Sequence, residues 1–305
     1  MIISQSVRLL GNGHFNIYLV GSGRTVVLEC GVSGVVPAVA RQVKENGWAD
    51  QVSHLVVMHA HFDHVCGLPG MTGVFSRAET VASARAADVL ARPKVVARFF
   101  HEDEAMTRTL DALAGRTHGG DAGPGRVADP PETLKVDRII EGEEVWQLGP
   151  GLSLHFTGAP GHSPCSLMAY CPQEEVLFSS DSAGFPVDSR TVFPIFFDGY
   201  RSYVQTIKRM MDLPVSVLAG AHGEVIRGRR QVMDYLRSAL DWAESTRASV
   251  EKEVGRGADQ EALARQVFAR FYHGRLKIYT EENIMTCSRL IVRRSIEAEE
   301  RQCRP

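Results

Sequence analysis

The chain has 305 residues, 44% of them apolar, and its 34 basic against 36 acidic residues leave a formal charge of −2. That length supplies a sizeable core and allows one large catalytic domain with an appendage, and the even charge balance argues against a nucleic-acid-binding face. No apolar run approaches the roughly 18 residues of a membrane span, and the opening MIISQSVRLLGNG has neither the basic start nor the cleavage site of a secretory signal.

In chain order, FNIYLV (15–20) and TVVLEC (25–30) are apolar and β-branched, and Gly21-Ser22-Gly23 between them predicts a hairpin. Val35, Val36, Val39 and Val43 recur at helical spacing over 35–46. Residues 54–58, HLVVM, read as a short buried strand that runs straight into HAHFDH. Helices are expected over about 83–92 and 94–114, and the Gly/Pro/Asp-rich stretch 116–131 reads as a loop. Strands follow at 137–147, 152–157, 166–171 and 175–180, then a helix over 199–212 and a last strand, Val215 to Ala219. From Arg229 the pattern is helical, with breaks near Gly255-Arg256-Gly257 and Gly274. The layout predicts an α/β sandwich of about 225 residues with about 80 residues of helical tail.

Six scattered cysteines, at 30, 66, 165, 171, 287 and 303, include no CxxC pair, so reduced thiols and a cytoplasmic location are expected. Cys66 and Cys165 lie near the histidine motifs but are expected to be small buried hydrophobes.

The chemistry concentrates in His59-Ala60-His61-Phe62-Asp63-His64, at the end of an apolar strand. Residues two apart on an extended segment face one way, so His59 and His61 can grip one ion, and reversal of the chain can turn Asp63 and His64 toward a neighbouring one. Imidazole and carboxylate suit zinc, and also iron or manganese. A chance H-x-H-x-D-H is on the order of one in a thousand per chain. Three more candidates sit at strand ends: His162 in Gly161-His162-Ser163, Asp181 closing VLFSSD, and His222 after VSVLAGA.

This order, HxHxDH, then GHS, then a strand-ending Asp, then HG, resembles the metallo-β-lactamase superfamily over roughly residues 5–228. The resemblance implies an αββα sandwich, here with a helical insertion (about 94–131), making residues 1–228 a catalytic domain and 229–305 a helical extension packed on it. It implies one metal on His59, His61 and His162, a second on Asp63, His64 and His222, and Asp181 bridging them. The chain departs from the family in Ser180, where glycine usually precedes the bridging Asp, and in Ala221, where GHG usually surrounds the last His. Within the superfamily the plan is similar to glyoxalase II. It is closer to the quinolone-signal thioesterases, which share the insertion, the tail, a run like His222-Gly223-Glu224-Val225-Ile226-Arg227-Gly228-Arg229 and a segment like 193–198.

Two metals about 3.5–4 Å apart, zinc in the first instance, can share a hydroxide as nucleophile, with Asp63 positioned to orient it or carry its proton. No G-x-S-x-G elbow supplies a serine alternative. The expected reaction is hydrolysis of a thioester or ester of a small acyl substrate, with a lactone or phosphodiester as the alternatives. A regulatory protein that keeps its metals and acts through its tail is the competing class. Redox chemistry at a di-iron site is disfavoured, because flavodiiron proteins carry an acid where His61 stands and a flavin-binding domain that this sequence does not show.

Other residues are candidates for the substrate pocket. His14 precedes the first hairpin strand, and Phe185, together with Ile195 and Phe197 of the apolar run that includes Phe193 and Phe196, suits a hydrophobic wall. Arg227, with Arg229 and Arg230, could hold an anionic group of the substrate. His54, His155 and His273 read as structural, and His101 and His118 belong to the insertion, a candidate lid. Apolar stripes on the tail (Leu236, Leu240, Trp242, Phe268, Phe271, Tyr272) are expected to serve core or homodimer packing.

Overall fold

The structure is a computed structural model that describes residues 1–115 and 130–300. The elements run β1 (Val7–Gly11), β2 (Asn16–Gly21), β3 (Thr25–Leu28), α1 (Val36–Asn46), β4 (Val52–Val56), α2 (Phe62–Val65), α3 (Leu68–Val74), β5 (Glu79–Ser83), α4 (Ala84–Leu90), α5 (Pro93–Leu113), β6 (Arg138–Ile140) and β7 (Glu144–Gly149). The second half continues with β8 (Leu152–Gly158), β9 (Leu167–Cys171), β10 (Val176–Ser180), β11 (Phe185–Pro186), β12 (Val192–Phe193), α6 (Tyr200–Met211), β13 (Val217–Gly220), β14 (Ile226–Arg227), α7 (Arg229–Val254), α8 (Gln260–Phe271) and α9 (Glu281–Glu300).

Two six-stranded sheets, ordered β1-β2-β3-β4-β5-β6 and β14-β13-β10-β9-β8-β7, face each other, and β11-β12 form a small ribbon. Pairing is parallel from β3 to β6 and between β10 and β13, and antiparallel elsewhere. Alternation along each strand explains the layers. In β2, Tyr18 and Val20 enter the cluster between the sheets, and Ile17 and Leu19 enter the outer one that the helices cover. In β10, Val176 and Phe178 point inward and Leu177 outward, and in β13 Val217 and Ala219 point inward and Leu218 outward. Strands buried on both faces must be apolar at nearly every position, which is why VVL and VLF look like uninterrupted runs. The result is the αββα sandwich expected from the sequence.

Several elements differ from the reading of the sequence. The stretch 137–147 is two strands in different sheets: β6 ends the first sheet, the chain turns at Gly142, and β7 begins the edge of the second. β1, β5, the β11-β12 ribbon and the short helices α2 and α3 had no clear periodic signal, being short or Gly-interrupted. The candidate loop 116–131 falls almost wholly outside the described residues, and so does His118. In the tail, the break at Gly255-Arg256-Gly257 separates α7 from α8, and the Asp259 carboxylate caps α8 by accepting from Ala262 N at 3.0 Å.

The tail stripes are buried within this chain. Leu236, Ala239, Ala243, Phe271 and Ile291 join the core, Leu240, Trp242, Phe268 and Tyr272 pack partly against it, and the exposed large hydrophobics among the described residues, Met1, Ile2, Leu113 and Val145, all lie elsewhere. No helix among the described residues is long and apolar enough to cross a membrane. Cys30, Cys66, Cys165, Cys171 and Cys287 are free thiols.

Candidate metal centre

β4 ends at Val56, the chain bends at Met58 and His59 where the sequence predicts a continuous extended segment, and His61 is extended (φ −109°, ψ 156°) before α2 turns Asp63 and His64 back. His162 follows β8, Asp181 follows β10 and His222 follows β13, so both sheets deliver their strand ends to one place. Gly161 allows the approach: it holds φ +124°, and a Cβ there would lie 2.2 Å from the Tyr203 backbone.

The seven candidate ligands converge as two donor sets that meet at Asp181. His59 Nε2, His61 Nδ1 and His162 Nε2 stand 2.9–3.2 Å from one another. A tetrahedral zinc with bonds of about 2.0–2.1 Å would hold its ligand nitrogens roughly 3.3 Å apart, close to this spacing. Asp63 Oδ2 lies 3.6 Å from both His64 Nε2 and His222 Nε2. Asp181 spans the sets: Oδ2 is 3.4 Å from His162 Nε2 and 3.3 Å from His64 Nε2, and Oδ1 is 3.4 Å from His222 Nε2. Three groupings, His59/His61/His162, His59/His64/Asp181 and Asp63/His64/His222, each bring their donor atoms within 4.8 Å.

The surrounding hydrogen bonds orient these rings. His162 Nδ1 donates to Ile195 O (2.9 Å), His222 Nδ1 to His14 O (3.1 Å) and His64 Nδ1 to Glu29 Oε2 (2.8 Å). Each bond leaves Nε2 facing the centre. His64 Nε2 and His222 Nε2 are buried and make no hydrogen bond. Orphaned buried nitrogens cost free energy unless something pairs with them, so the donor set fits divalent cations. Burial and mutual repulsion hold the His59 imidazole well below its usual pKa, and burial lowers His162. Burial alone would lower His64 too, but Glu29, Asp63 and Asp181 outweigh it and raise it well above the usual value. Those carboxylates attract positive charge at that spot, which a metal would supply as a proton does.

Some participants escaped the sequence reading. Glu29, buried at the end of TVVLEC, accepts from His64 and from Ser180 Oγ (2.5 Å), whose oxygen faces His59 Nδ1 at 3.2 Å. Asn16 braces the loop of His222, its Nδ2 donating to Gly220 O (3.0 Å) and Gly223 O (2.9 Å). Tyr279, from the tail, donates its hydroxyl to Asp63 Oδ2 at 2.7 Å. A carboxylate or amide inside an apolar strand is the signal for the first and second; nothing local marks Tyr279. Cys165 supports the motif, its Sγ accepting from Ala60 N at 3.3 Å.

A cavity of about 350 Å³ opens over the centre. His61, Asp63, His162 and Asp181 of the centre line it, with the apolar side chains of Phe185, Phe193, Ile195 and Phe197, and from the tail Leu290 and Tyr279, whose ring meets that of Phe185 edge-on. Lys94, Arg98 and Glu102 of α5 also line it, so the described part of the insertion borders the cavity. Phe196 packs instead against Tyr200 and Tyr203. His14 reaches the site through its carbonyl. Arg227 does not reach it: on edge strand β14 its guanidinium is held by the carbonyls of Ile3 (2.6 Å) and Ile2 (3.2 Å), and Arg229 pairs with Glu175. His54 packs at a tilt against Trp146, His155 bonds Ser153, and His273 faces Asp188, all away from the cavity.

Residues 10–222 match the family described as the Metallo-beta-lactamase superfamily. The metallo-beta-lactamase fold-containing protein ST1585 of Sulfurisphaera tokodaii is 23% identical over 251 residues, 81% of this chain and 85% of that one. Its crystal structure superposes with a TM-score of 0.56 at 22% identity, over 79% of this chain and 86% of that one. Diflavin flavoprotein A 1 of Synechocystis is 32% identical over 125 residues, 35% of this chain and 21% of that protein. The stereoselective inverting sec-alkylsulfatase Pisa1 from Pseudomonas sp. superposes with a TM-score of 0.63 at 15% identity, over 96% of this chain and 49% of that one.

Proposed function

The chain belongs to the metallo-β-lactamase superfamily, and from that premise we propose that it is a dinuclear metal-dependent hydrolase of a thioester or ester with a small, partly apolar acyl group. One observation carries the reading: two buried donor sets meet at Asp181 on the floor of a cavity whose walls are mostly apolar. In this reading residues 1–228 are the catalytic unit and the tail closes its cavity.

His59, His61 and His162 would hold one ion, and Asp63, His64 and His222 the other, with Asp181 shared. Zinc is the first choice for this nitrogen- and oxygen-rich set. Bound divalent ions would make a water acidic near neutral pH and polarise the carbonyl under attack. The protein supplies the rest. Glu29, Ile195 O and His14 O keep three imidazoles aimed inward, Asp63 would carry the proton of the attacking water toward the leaving group, and Phe185, Ile195 and Phe197 would seat the acyl group and exclude bulk water. At about 350 Å³ the cavity is at the small end of the roughly 300–1,000 Å³ range of ligand pockets, which supports a small acyl group.

Elemental analysis beside hydrolysis panels of thioesters, lactones and bis-nitrophenyl phosphate tests this. Near two metals per chain, with thioester turnover abolished by His59→Ala or Asp63→Ala, is the expected result. Folded protein that stays metal-free after zinc, iron and manganese supply would overturn it, and turnover of only the lactone or phosphodiester panel would replace the bond type.

A further inference from the structure

The helical tail enters the centre through one short segment. Between α8 and α9 the chain runs as a tight turn, Gly274–Ile278, and ends in Tyr279. It docks on three loops that carry candidate ligands or cavity wall. Gly274, at φ +52°, lies so close to Val187 that a Cβ would stand 2.4 Å from its carbonyl oxygen, and Arg275 N donates to that same oxygen at 2.9 Å. The Arg275 guanidinium faces Glu224, two residues after His222, at 3.3 Å. Tyr279 is 7% exposed, lies edge-on to Phe62 and Phe185, and donates its phenol to Asp63 Oδ2. That oxygen also faces His64 Nε2 and His222 Nε2, each 3.6 Å away.

We propose that Tyr279 is a positioning residue for the second metal site, fixing the Asp63 carboxylate and thereby coupling occupation of that site to docking of the helical tail. A hydrogen bond to a ligating carboxylate fixes its orientation, and losing such an outer partner typically costs about 10–100-fold in metal affinity. Asp63 stands on the single turn of α2 after His61, and among the described residues Tyr279 is the hydrogen-bond partner of its side chain, so the tyrosine supplies its constraint. The coupling runs both ways. An ion drawn to Asp63, His64 and His222 favours the carboxylate position that accepts from Tyr279, and hence the docked tail. Among the described residues no hydrogen bond, ion pair or ring contact joins the His59/His61/His162 set to the segment, and that set should be indifferent to it. The inference rests on the two-ion reading of the site.

The test is chelator competition on the full-length metal-free protein titrated with zinc, comparing wild type, Tyr279→Phe and Tyr272→Phe. The last variant removes a tail hydrogen bond, Tyr272 hydroxyl to Tyr279 O at 2.9 Å, without touching Asp63. The expected result is two zinc ions in wild type, a second ion bound about 10-fold or more weakly in Tyr279→Phe with the first unchanged, and a smaller loss, again confined to the second ion, in Tyr272→Phe. Hydrogen exchange should show α9 gaining protection between the first and second equivalents of zinc in wild type. This second readout decides the matter if Tyr279→Phe fails to fold; protection gained with the first equivalent, or not at all, overturns the coupling. Equal second-site affinity in Tyr279→Phe overturns it, as does a loss in Tyr272→Phe that falls on both ions alike, which would show general loosening rather than a link to the second site. Wild type that takes up no second ion overturns the two-ion reading along with it.

Discussion

Ser180 donates its hydroxyl to Glu29 across 2.5 Å, and both residues hold a left-handed backbone, φ +48° and +72°. Only one other non-glycine residue among those described, Glu175, has positive φ. Two strained residues joined at the metal centre are a local cost that the surrounding structure maintains. The bond completes a chain, His59–Ser180–Glu29–His64, that links the two donor sets. The departure from the family's usual glycine before Asp181 therefore adds a hydroxyl that orients His59 and Glu29. Ser180→Ala and Ser180→Gly both remove that hydroxyl, but only glycine relaxes φ +48°. Urea unfolding is expected to place Ser180→Gly about 1 kcal/mol above Ser180→Ala in stability, with the same reduced zinc affinity in both.

Glu29 is the common acceptor for His64 and Ser180. Glu29→Gln keeps its size but removes the charge that aligns the imidazole. Zinc affinity is expected to fall about 10–100-fold, read by chelator competition; an unchanged affinity would remove Glu29 from the account of the site.

The two donor sets should empty independently. His162→Ala is expected to lose the ion of the His59 set, and His222→Ala that of the Asp63 set. Elemental analysis should then give near one zinc per chain in each variant, against two in wild type. Wild-type melting temperature should rise with free zinc, by the equivalent of about 2.7 kcal/mol at 100 times the dissociation constant, and by less in each variant.

Asp103 of α5 is buried, accepts from Ser33 N at 2.8 Å and from Ser33 Oγ, and so fastens the insertion helix to the chain before α1. Burial raises its pKa to about 6 against an ordinary 3.8, despite the opposing Ser33 hydrogen bonds. An acid whose folded pKa is raised binds more protons folded than unfolded between those values, so its contribution to stability falls as pH rises from about 4 to 6 and is level above. Wild type should lose about 2–3 kcal/mol relative to Asp103→Asn between pH 4 and pH 6.5. A difference independent of pH, in urea unfolding at both values, would count against the raised pKa.

The apolar wall predicts a chain-length dependence. Each buried methylene is worth about 0.8 kcal/mol, so kcat/KM for straight-chain acyl thioesters should climb about four-fold per carbon until the cavity fills. Phe197→Ala, which removes a ring 5.3 Å from that of His162, should move the limit to longer chains. A flat series in both proteins would mean that the acyl group binds elsewhere.

By itself the sequence determined the sandwich and the seven convergent side chains, because both are written locally. Strands buried on two faces must be continuously apolar, and the residues just past their ends are polar with nothing apolar to do. Arg227, by contrast, looked like an anion-binding group next to His222, and only the antiparallel turn into edge strand β14 sends it to the carbonyls of Ile2 and Ile3. The split of 137–147 between two sheets depended on where each half found a partner strand. Tertiary structure alone decided the long-range partners. Glu29 meets Ser180 across 151 residues and Asp63 meets Tyr279 across 216. A hydrogen bond between side chains so far apart leaves no periodicity in either segment. It exists only once two sheets and a tail helix have packed, and it is packing that turns a buried acid and an ordinary tail tyrosine into parts of the site.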